Sequence, residues 1–464
     1  MNTRKLVLLF TALVGLAVSA FAQTKATEAT VAQLSGSATL TLADGSTTAL
    51  TVGSKVPQGA TITTSADGDL YLQTHTSTTA ILKANTTVSV EELSVTSDSG
   101  KVTEEKTMLN LKSGNMISVL DPSKKKVNNY NVRTPKGVAA ARGTSFSVSV
   151  SAGGFQIAAT ADAVTFTNAA GAMFTISAGM ISITPPGGEP QPPIPLALAA
   201  ATNPAIAQVV ADAVTAISTV MQSGNISAEG AVNVASQVVA VASTVSPATA
   251  AAVAAQVSTA AATSTSPTIA AASASTAASV ASAAATAAPS EATNIAREVV
   301  AVTASTNTQA AATVAAAVAQ AVPAQATTIA AAVAQTVATA SGGSDVQVAA
   351  TIAAAVSLAS NTSLATVATA TATATNTNAT AVTNVAGNTA TQTAARNATT
   401  SATTATQTAT QATQNVLSQP NATPDALPVL PPAPVEAPAP FETPPVPVTT
   451  PQPIDTSAVS RSGE

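Results

Sequence analysis

Residues 132–150, VRTPKGVAAARGTSFSVSV, contain the strongest indications of fold class in the chain. A residue before proline avoids the helical region and proline has no N–H to donate, so Thr134-Pro135 is predicted to end a strand. The β-branched and aromatic run from Phe146 to Val150 favours a further strand. Between these strands, Gly143 is predicted to provide a bulge or a close approach of two backbones.

The same alternation of apolar and polar residues extends through residues 30–184. Ala38, Leu40 and Leu42 alternate with threonines, which is the period of a strand with one buried face. Glycine-containing pairs lie near such runs, and glycine tolerates the positive φ that tight hairpin turns require. We therefore predict an all-β domain over residues 30–184, of β-sandwich or β-solenoid-like type. The predicted turns are Asp44-Gly45, Asp67-Gly68, Ser99-Gly100 and Gly153-Gly154.

The periodicity changes after this domain. Residues 185–196 are rich in proline and glycine and are predicted to form a linker, because each proline removes a donor from a sheet. Residues 197–360 place Val or Ile at i, i+4 and i+8 on an alanine background, as in residues 329–337, which is the period of a helix. Pairs such as Ser246-Pro247 supply capping oxygens and helix starts at intervals of about 20 residues. We predict an array of short helical repeats, with disordered low-complexity sequence as the alternative.

Two low-complexity regions follow. Residues 361–419 consist mainly of Ala, Thr, Asn, Gln and Ser, so few large apolar side chains can offset the entropy of ordering. We expect disorder or a frayed helix there. Residues 420–464 carry repeated prolines, which favour extended polyproline II conformation without a core, and we predict a disordered tail that acts as a spacer.

The N-terminus has the features of an export signal. In residues 1–22, Arg4 and Lys5 precede an apolar run that is too short to span a bilayer comfortably, and Ala20-Phe21-Ala22 provides the small residues of a cleavage site. We predict a signal peptide whose removal leaves Gln23 as the first residue, and hence a periplasmic, secreted or cell-surface protein without stable membrane insertion. The formal net charge of −5 argues against a nucleic-acid partner.

The sequence lacks the residue patterns of an enzyme. His75 is the single histidine and no cysteine is present, so neither a multi-histidine site nor a thiolate metal site can be assembled within one chain. His75 is predicted to be an exposed polar residue. The pairs Glu91-Glu92 and Glu104-Glu105 are predicted to place neighbours on opposite faces of a strand, where they cannot converge on one substrate atom. We therefore expect no catalytic residue, no cofactor and no metal.

A basic tripeptide follows a turn sequence in the β domain. Lys124-Lys125-Lys126 comes directly after Asp121-Pro122-Ser123 and is predicted to form a solvated hairpin tip. The alternative is contact with an anionic glycan or partner.

Between Val31 and Val150, glycines, threonines and β-forming residues follow one another in the order of a known motif series. This part of the chain resembles the FecR domain, an extracytoplasmic module named after a regulator of ferric dicitrate transport. Single residues of the series are predicted to have structural roles. Arg142 is predicted to bridge carbonyls or a carboxylate across the sheet. The residues that carry the resemblance are Gly53, Gly59, Thr64, Gly114, Thr134, Pro135, Arg142, Gly143, Thr144 and Phe146.

The resemblance implies an extracytoplasmic sensing or binding role, although this chain places a predicted signal peptide directly before the module, where the membrane-spanning regulators have cytoplasmic and transmembrane segments. Two functions are open at this point. In the first, the β domain binds an envelope or extracellular protein or polysaccharide, and the low-complexity region acts as a spacer. In the second, the chain is a structural protein of the cell surface or extracellular matrix.

Overall fold

The computed structural model describes residues 23–303, 307–343 and 345–417. The predicted signal peptide at 1–22 and the predicted proline-rich tail at 420–464 lie outside the described residues.

The first part of the described chain is built from strands, as the alternation predicts. Eighteen strands precede the first α-helix of this part. They are β1 (Gln23–Ala26), β2 (Ala29–Ser35), β3 (Ala38–Thr41), β4 (Thr47–Ala49), β5 (Lys55–Val56), β6 (Thr61–Thr64), β7 (Asp69–His75), β8 (Thr78–Leu82), β9 (Thr87–Asp98), β10 (Lys101–Leu120), β11 (Asn128–Thr134), β12 (Gly137–Ala141), β13 (Ser145–Ser151), β14 (Gly154–Ala161), β15 (Ala163–Asn168), β16 (Met173–Ser177), β17 (Met180–Thr184) and β18 (Ile194–Pro195).

The strands form two layers. Sheet A has the order β4-β3-β6-β9-β10-β11-β12-β15-β16, and β1 also pairs with β9. Sheet B has the order β5-β2-β7-β8-β10-β13-β14-β17-β18. The β10–β11 pair is parallel and the other pairs in these two orders are antiparallel.

Strand β10 belongs to both layers. Its first half pairs with β9 and β11 in sheet A, and its second half, from Gly114 onward, pairs with β8 and β13 in sheet B. At this crossing point Gly114 has a φ of +96°, which L-residues rarely adopt. The strands thus form one continuous sheet folded on itself into two facing layers, with a sandwich-like core between them.

One hydrophobic core lies between the layers and a second lies outside sheet B. In β7, Leu70 and Leu72 point into the sandwich, whereas Tyr71 packs with the helices that follow. In β8, Leu82 likewise points into the sandwich, whereas Ile81 packs with the helices. Successive strand residues face opposite sides, so sheet B buries apolar residues on both of its faces. The molecule therefore has three layers, in the order sheet A, sheet B and helices.

Thirteen α-helices follow in the described residues, which confirms the predicted helical region. The helical part begins at Leu196, and strand β18 occupies the two residues before it, so the predicted linker 185–196 ends in regular structure. The helices are α1 (Leu196–Thr202), α2 (Pro204–Gln222), α3 (Ala228–Val245), α4 (Ala250–Ala262), α5 (Pro267–Ala271), α6 (Ser273–Ala287), α7 (Ala292–Thr303), α8 (Thr308–Ala321), α9 (Ala326–Ser341), α10 (Val346–Ser360), α11 (Leu364–Ala374), α12 (Ala379–Ala386) and α13 (Thr389–Leu417).

Prolines lie at helix starts as predicted, but the predicted side-chain cap at Ser246 is wrong, because Ser246 makes no capping hydrogen bond. The Asn203 side chain caps α2 by accepting a hydrogen bond from the Ala205 N–H at 3.0 Å, with Pro204 in the first turn. Prolines also open 3₁₀ turns that lead into α4, α7 and α9. Helix α2 is long and apolar enough by composition to cross a membrane, but half of it is buried inside the protein. In the described structure it is a core helix.

Helices α11, α12 and α13 occupy the region where we expected disorder or a frayed helix. Helix α13 packs against α3, α6, α8 and α10. The expectation rested on the lack of large apolar residues, but alanine side chains let helices approach closely, so a narrow alanine stripe can be buried. The stripe recurs every three and four residues, which is the spacing of a helix–helix seam. Its buried members are Ala395, Ala398, Ala402, Ala405, Ala409, Ala412 and Val416.

Candidate functional site

The outer face of sheet A remains accessible in the described part of the chain, whereas helices cover the outer face of sheet B. We call its polar centre the outer-face cluster, formed by side chains of β9, β10 and β11. These strands are adjacent, so the side chains stand about 4.8 Å apart in the pairing direction. The cluster consists of Glu91, Glu92, Glu104, Lys106, Asn110, Asn129, Asn131 and Arg133.

A β-bulge creates the acidic part of this cluster. Met108 pairs with Glu92 and Leu109 with Val90, so Glu91 is an extra residue in β9. Val90 is buried in the sandwich core, and both glutamates bind cations of sheet A. The prediction that Glu91 and Glu92 lie on opposite faces is therefore wrong, because the bulge interrupts the alternation.

Ion pairs and amide hydrogen bonds connect the cluster across the three strands. The Arg133 Nε lies 2.9 Å from the Glu91 Oε2, and the Asn110 Nδ2 donates to the Glu91 Oε1 at 2.7 Å. The Lys106 Nζ lies 2.9 Å from the Glu92 Oε2, and this hydrogen bond and charge raise the pKa of Lys106. The result is a surface with alternating charges in fixed positions.

Neutral amides extend the cluster along β11. The Asn129 Nδ2 donates to the Glu104 Oε1 at 2.6 Å, and the Asn131 Nδ2 donates to the Asn129 Oδ1 at 3.0 Å. Glu105 instead accepts a hydrogen bond from the Ser77 hydroxyl at 2.9 Å, beside the buried Asn128. Glu104 and Glu105 thus have separate partners.

The loop that carries the lysine tripeptide docks on the helical layer. Asp121 is 2% exposed; its Oδ2 accepts from the Ser227 N–H at 2.8 Å and its Oδ1 from the Ser123 N–H at 2.8 Å. Ser227 is the N-cap of α3, so a carboxylate of the β domain lies at the positive end of that helix. The predicted hairpin tip is a 3₁₀ turn, Pro122–Lys124, and the Lys125 Nζ contacts the Asp162 Oδ2 at 2.5 Å.

Further contacts join the two parts of the molecule. The buried Gln237 of α3 accepts a hydrogen bond from the Asp162 N–H at 2.7 Å. The Tyr71 hydroxyl donates to the Thr219 Oγ1 of α2 at 3.4 Å. The sequence contains no pattern that marks these residues as contacts, because they come from segments separated by 75 or more positions.

His75 is buried, with 8% of its surface exposed, so the prediction of an exposed polar residue is wrong. It ends β7 at an irregularity in the pairing with β8, and its Nε2 lies 3.2 Å from the Lys106 carbonyl oxygen. Burial lowers the pKa of His75 from its usual 6.5, and this outweighs the opposing influence of that carbonyl and of the Glu105 charge. The folded protein therefore favours the neutral imidazole.

We expect stability to fall as the pH decreases below about 6.5, because the unfolded chain then binds a proton at His75 that the folded chain resists. The contribution is fully present above 6.5 and is lost toward the lower pKa of the folded state. Urea unfolding of wild type and His75→Gln between pH 5 and pH 7.5 measures it, with a slope of at most about 1.4 kcal/mol per pH unit for one group. Parallel curves for the two proteins would contradict the assignment.

The family-motif residues nearest the N-terminus lie in turns and at the point where β10 passes from one layer to the other. Gly53 and Gly59 have positive φ and donate from their N–H groups to the Val31 and Val90 carbonyl oxygens, both at 2.8 Å. Thr64 is buried, and its hydroxyl donates to the Lys83 carbonyl oxygen at 2.6 Å. Gly114 lies at the crossing point of β10. These residues shape the fold.

The later family-motif residues surround the docked loop and the core. Thr134 ends β11 before Pro135, as predicted, and its hydroxyl donates to the Gly137 carbonyl oxygen at 3.0 Å. Gly143 has a φ of +76°, and a Cβ atom there would lie 2.6 Å from the Pro122 Cα, so it permits the close approach predicted for it. The remaining three residues divide between buried and exposed positions. Thr144 donates to the Ala161 carbonyl oxygen, Phe146 packs edge-on against Tyr130, and Arg142 is exposed.

Arg142 does not make the predicted bridge, since no hydrogen bond or ion pair links it to another residue of the described ranges. Within the same ranges, no group of three or more His, Cys, Asp or Glu residues could hold a metal ion.

Comparisons with known proteins identify part of the strand-rich region. The model of the family described as FecR protein matches residues 60–165. This range contains the whole outer-face cluster, whereas Gly53 and Gly59 precede it. No curated protein matches the chain.

One solved structure shows a weak likeness. It is the 2.50 Å crystal structure of a candidate anti-sigma factor from Parabacteroides distasonis, with 11% identity and a TM-score of 0.21. The match covers 39% of this chain and 66% of that protein, and a TM-score this low supports no conclusion about function.

The match to the family model shows that residues 60–165 of this chain are a FecR domain.

Proposed function

We propose that this chain is an exported, non-enzymatic sensing or binding protein whose FecR domain binds an envelope protein through the outer-face cluster. The FecR match supports a signalling or sensing role. The export part rests on the sequence of residues 1–22.

The observation that carries the binding part is the fixed pattern of charges on the accessible layer. Arg133 is 52% exposed and Lys106 38% exposed, although each is held by a glutamate. Charges held in place across three strands give a partner a defined electrostatic pattern to match, which provides specificity and orientation. A protein surface carries such complementary charges, whereas a neutral polysaccharide does not. The helical region covers the opposite side of the FecR domain and leaves this layer to a partner.

The two other functions predict different behaviour. A polysaccharide partner would make binding depend on the amides of Asn129 and Asn131 more than on the charges. A structural protein of the envelope would need neither these amides nor the charges of the outer-face cluster.

The test compares Arg133→Glu with Arg297→Glu, because Arg297 is similarly exposed at 49% and is ion-paired, but lies in helix α7. The tagged full chain, recovered from the extracytoplasmic fraction of expressing cells, is titrated against solubilised envelope proteins from the same organism and against purified envelope polysaccharide. We expect saturable, salt-sensitive binding to a protein, weakened about tenfold or more by Arg133→Glu and unchanged by Arg297→Glu.

Three results would contradict the proposal: recovery of the chain from the cytoplasm alone, saturable binding to the polysaccharide but to no protein, or equal binding by the two variants.

A further inference from the structure

A cleft of about 280 Å³ lies between sheet B and the first half of helix α2. It is separate from the outer-face cluster, which lies on the opposite layer. Ligand sites occur preferentially where two parts of a protein meet. Strands β10, β13 and β14 form one wall, and α2 forms the other.

The sheet wall carries a row of neutral polar side chains. Asn115 pairs with Ser149, and Ser149 pairs with Gln156, so the three side chains stand side by side on adjacent strands. Within the described residues, no hydrogen bond is formed by the side-chain amides of Asn115 and Gln156 or by the Ser149 hydroxyl. The row therefore presents donors and acceptors that the protein itself does not use, over a length of about 10 Å.

The helix wall and one end of the cleft are charged, with one lysine between two aspartates. The Lys83 Nζ lies 2.5 Å from the Asp69 Oδ2 and 3.7 Å from the Asp212 Oδ1. The Gln208 Nε2 donates to the Asp212 Oδ1 at 3.1 Å. Burial lowers the pKa of Lys83, but the hydrogen bond to Asp69 and the charges of Asp212 and Asp69 outweigh this and raise it. One cation between two carboxylates offers no unpaired positive charge to an anion.

Apolar groups complete the lining. Ile117 and Val209 lie on opposite walls, between the polar residues of the strands and of α2. A ligand that fits must combine C–H surface with several hydroxyl groups and carry no negative charge. The volume is close to the lower end of ligand pockets, about 300 Å³, which suits one ring of a sugar.

We propose that this cleft binds a neutral saccharide, either as a free monosaccharide or as the terminal unit of a glycan. The Asn115, Ser149 and Gln156 side chains hydrogen-bond its hydroxyl groups from the sheet, and Gln208 and Asp212 do so from α2. This site goes beyond the proposed function, because it uses other residues and another class of ligand. A saccharide held from both sides joins the FecR domain to the helical region.

The test measures binding of a panel of neutral monosaccharides to the purified full chain by calorimetry and ligand-observed NMR. D-glucuronate and D-glucosamine serve as charged comparisons. We expect at least one neutral sugar to bind with a Kd in the micromolar to millimolar range and to bind more tightly than both charged sugars. Gln156→Leu and Ser149→Ala should each weaken it about tenfold, because each leaves a sugar hydroxyl without its partner.

Thr167→Val on sheet A is the matched control and should bind like wild type, and thermal melts establish that each variant is folded. Binding of the same neutral monosaccharides to the folded Gln208→Leu variant provides a second measurement from the other wall, with the same expected loss. Absence of binding by all neutral sugars, tighter binding of a charged sugar, or wild-type affinity in the three cleft variants Gln156→Leu, Ser149→Ala and Gln208→Leu would overturn the proposal. Arg133→Glu should leave the sugar affinity unchanged. Sugar binding by the cleft is therefore tested independently of protein binding by the outer-face cluster.

Discussion

Replacement of Gly114 by alanine is expected to lower the free energy of unfolding by more than about 4 kcal/mol, which approaches the whole stability of an ordinary domain. The φ of +96° alone costs an L-residue about 1–2 kcal/mol. In addition, a Cβ atom would lie 2.5 Å from the Thr86 Cα and 2.7 Å from the Asn85 carbonyl oxygen. These are backbone atoms and cannot rotate away. Because β10 changes layers at this residue, any shift that relieves the collision disturbs both layers.

Gly171→Ala separates the cost of the positive φ from the cost of the collision with the Cβ atom. Gly171 has a similar φ of +85°, but a Cβ atom there would meet nothing within 4 Å. We expect a loss of about 1–2 kcal/mol for this control. Urea unfolding of the full chain followed by circular dichroism, together with the soluble yield, measures both variants. Equal losses would show that the crossing point tolerates a side chain.

The second large effect is expected for Asp121→Ala, with a loss of about 3 kcal/mol. The Asp121 carboxylate is buried and accepts hydrogen bonds from the Ser227 and Ser123 N–H groups. Its removal leaves both donors without this partner, and a hydrogen bond to a charged group contributes about 1.5–3 kcal/mol. It also removes negative charge from the N-terminus of α3. The contact between the FecR domain and the helical region should loosen.

Asp345→Ala is the control for an aspartate that serves one helix without joining two parts of the molecule. Asp345 is exposed and caps α10 by accepting from the Gln347 N–H at 2.7 Å. Loss of such a cap costs about 1 kcal/mol. Amide exchange across residues 227–235 should accelerate in the Asp121 variant and stay unchanged in the Asp345 variant. Similar losses of stability and unchanged exchange in both would show that Asp121 is an ordinary cap.

The strand-rich region was predictable because its residues alternate and its turns contain glycine. Ser99 and Gly100, for example, both have positive φ in the hairpin between β9 and β10, as a type I′ turn requires. Alternation cannot indicate a bulge, however, so the shared face of Glu91 and Glu92 was not predictable. The burial of His75 was missed for a related reason, since the irregular pairing with β8 determines its position and leaves no local signal.

The buried packing of the last helix was not predicted, although a signal for it exists. Composition suggested disorder or a frayed helix for residues 361–419, but the three- and four-residue spacing of alanines from Ala395 to Val416 indicates a helix with one buried side. The cleft, in contrast, could not be found from the sequence. Its walls come from β10, β13, β14 and α2, and the docking of the FecR domain on the helices decides which neutral residues face each other.

The position of α13 has a consequence for the nascent chain. Synthesis proceeds from the N-terminus, and the described strands are complete once residue 195 has emerged. Helices α3, α6, α8 and α10 all pack against α13, whose residues are the last of the described chain to leave the ribosome. Until residue 417 is available, the alanine-lined surfaces of these four helices lack their common neighbour. The β layers can therefore form while the chain is still emerging, whereas the helical layer reaches its final packing only once residue 417 is available.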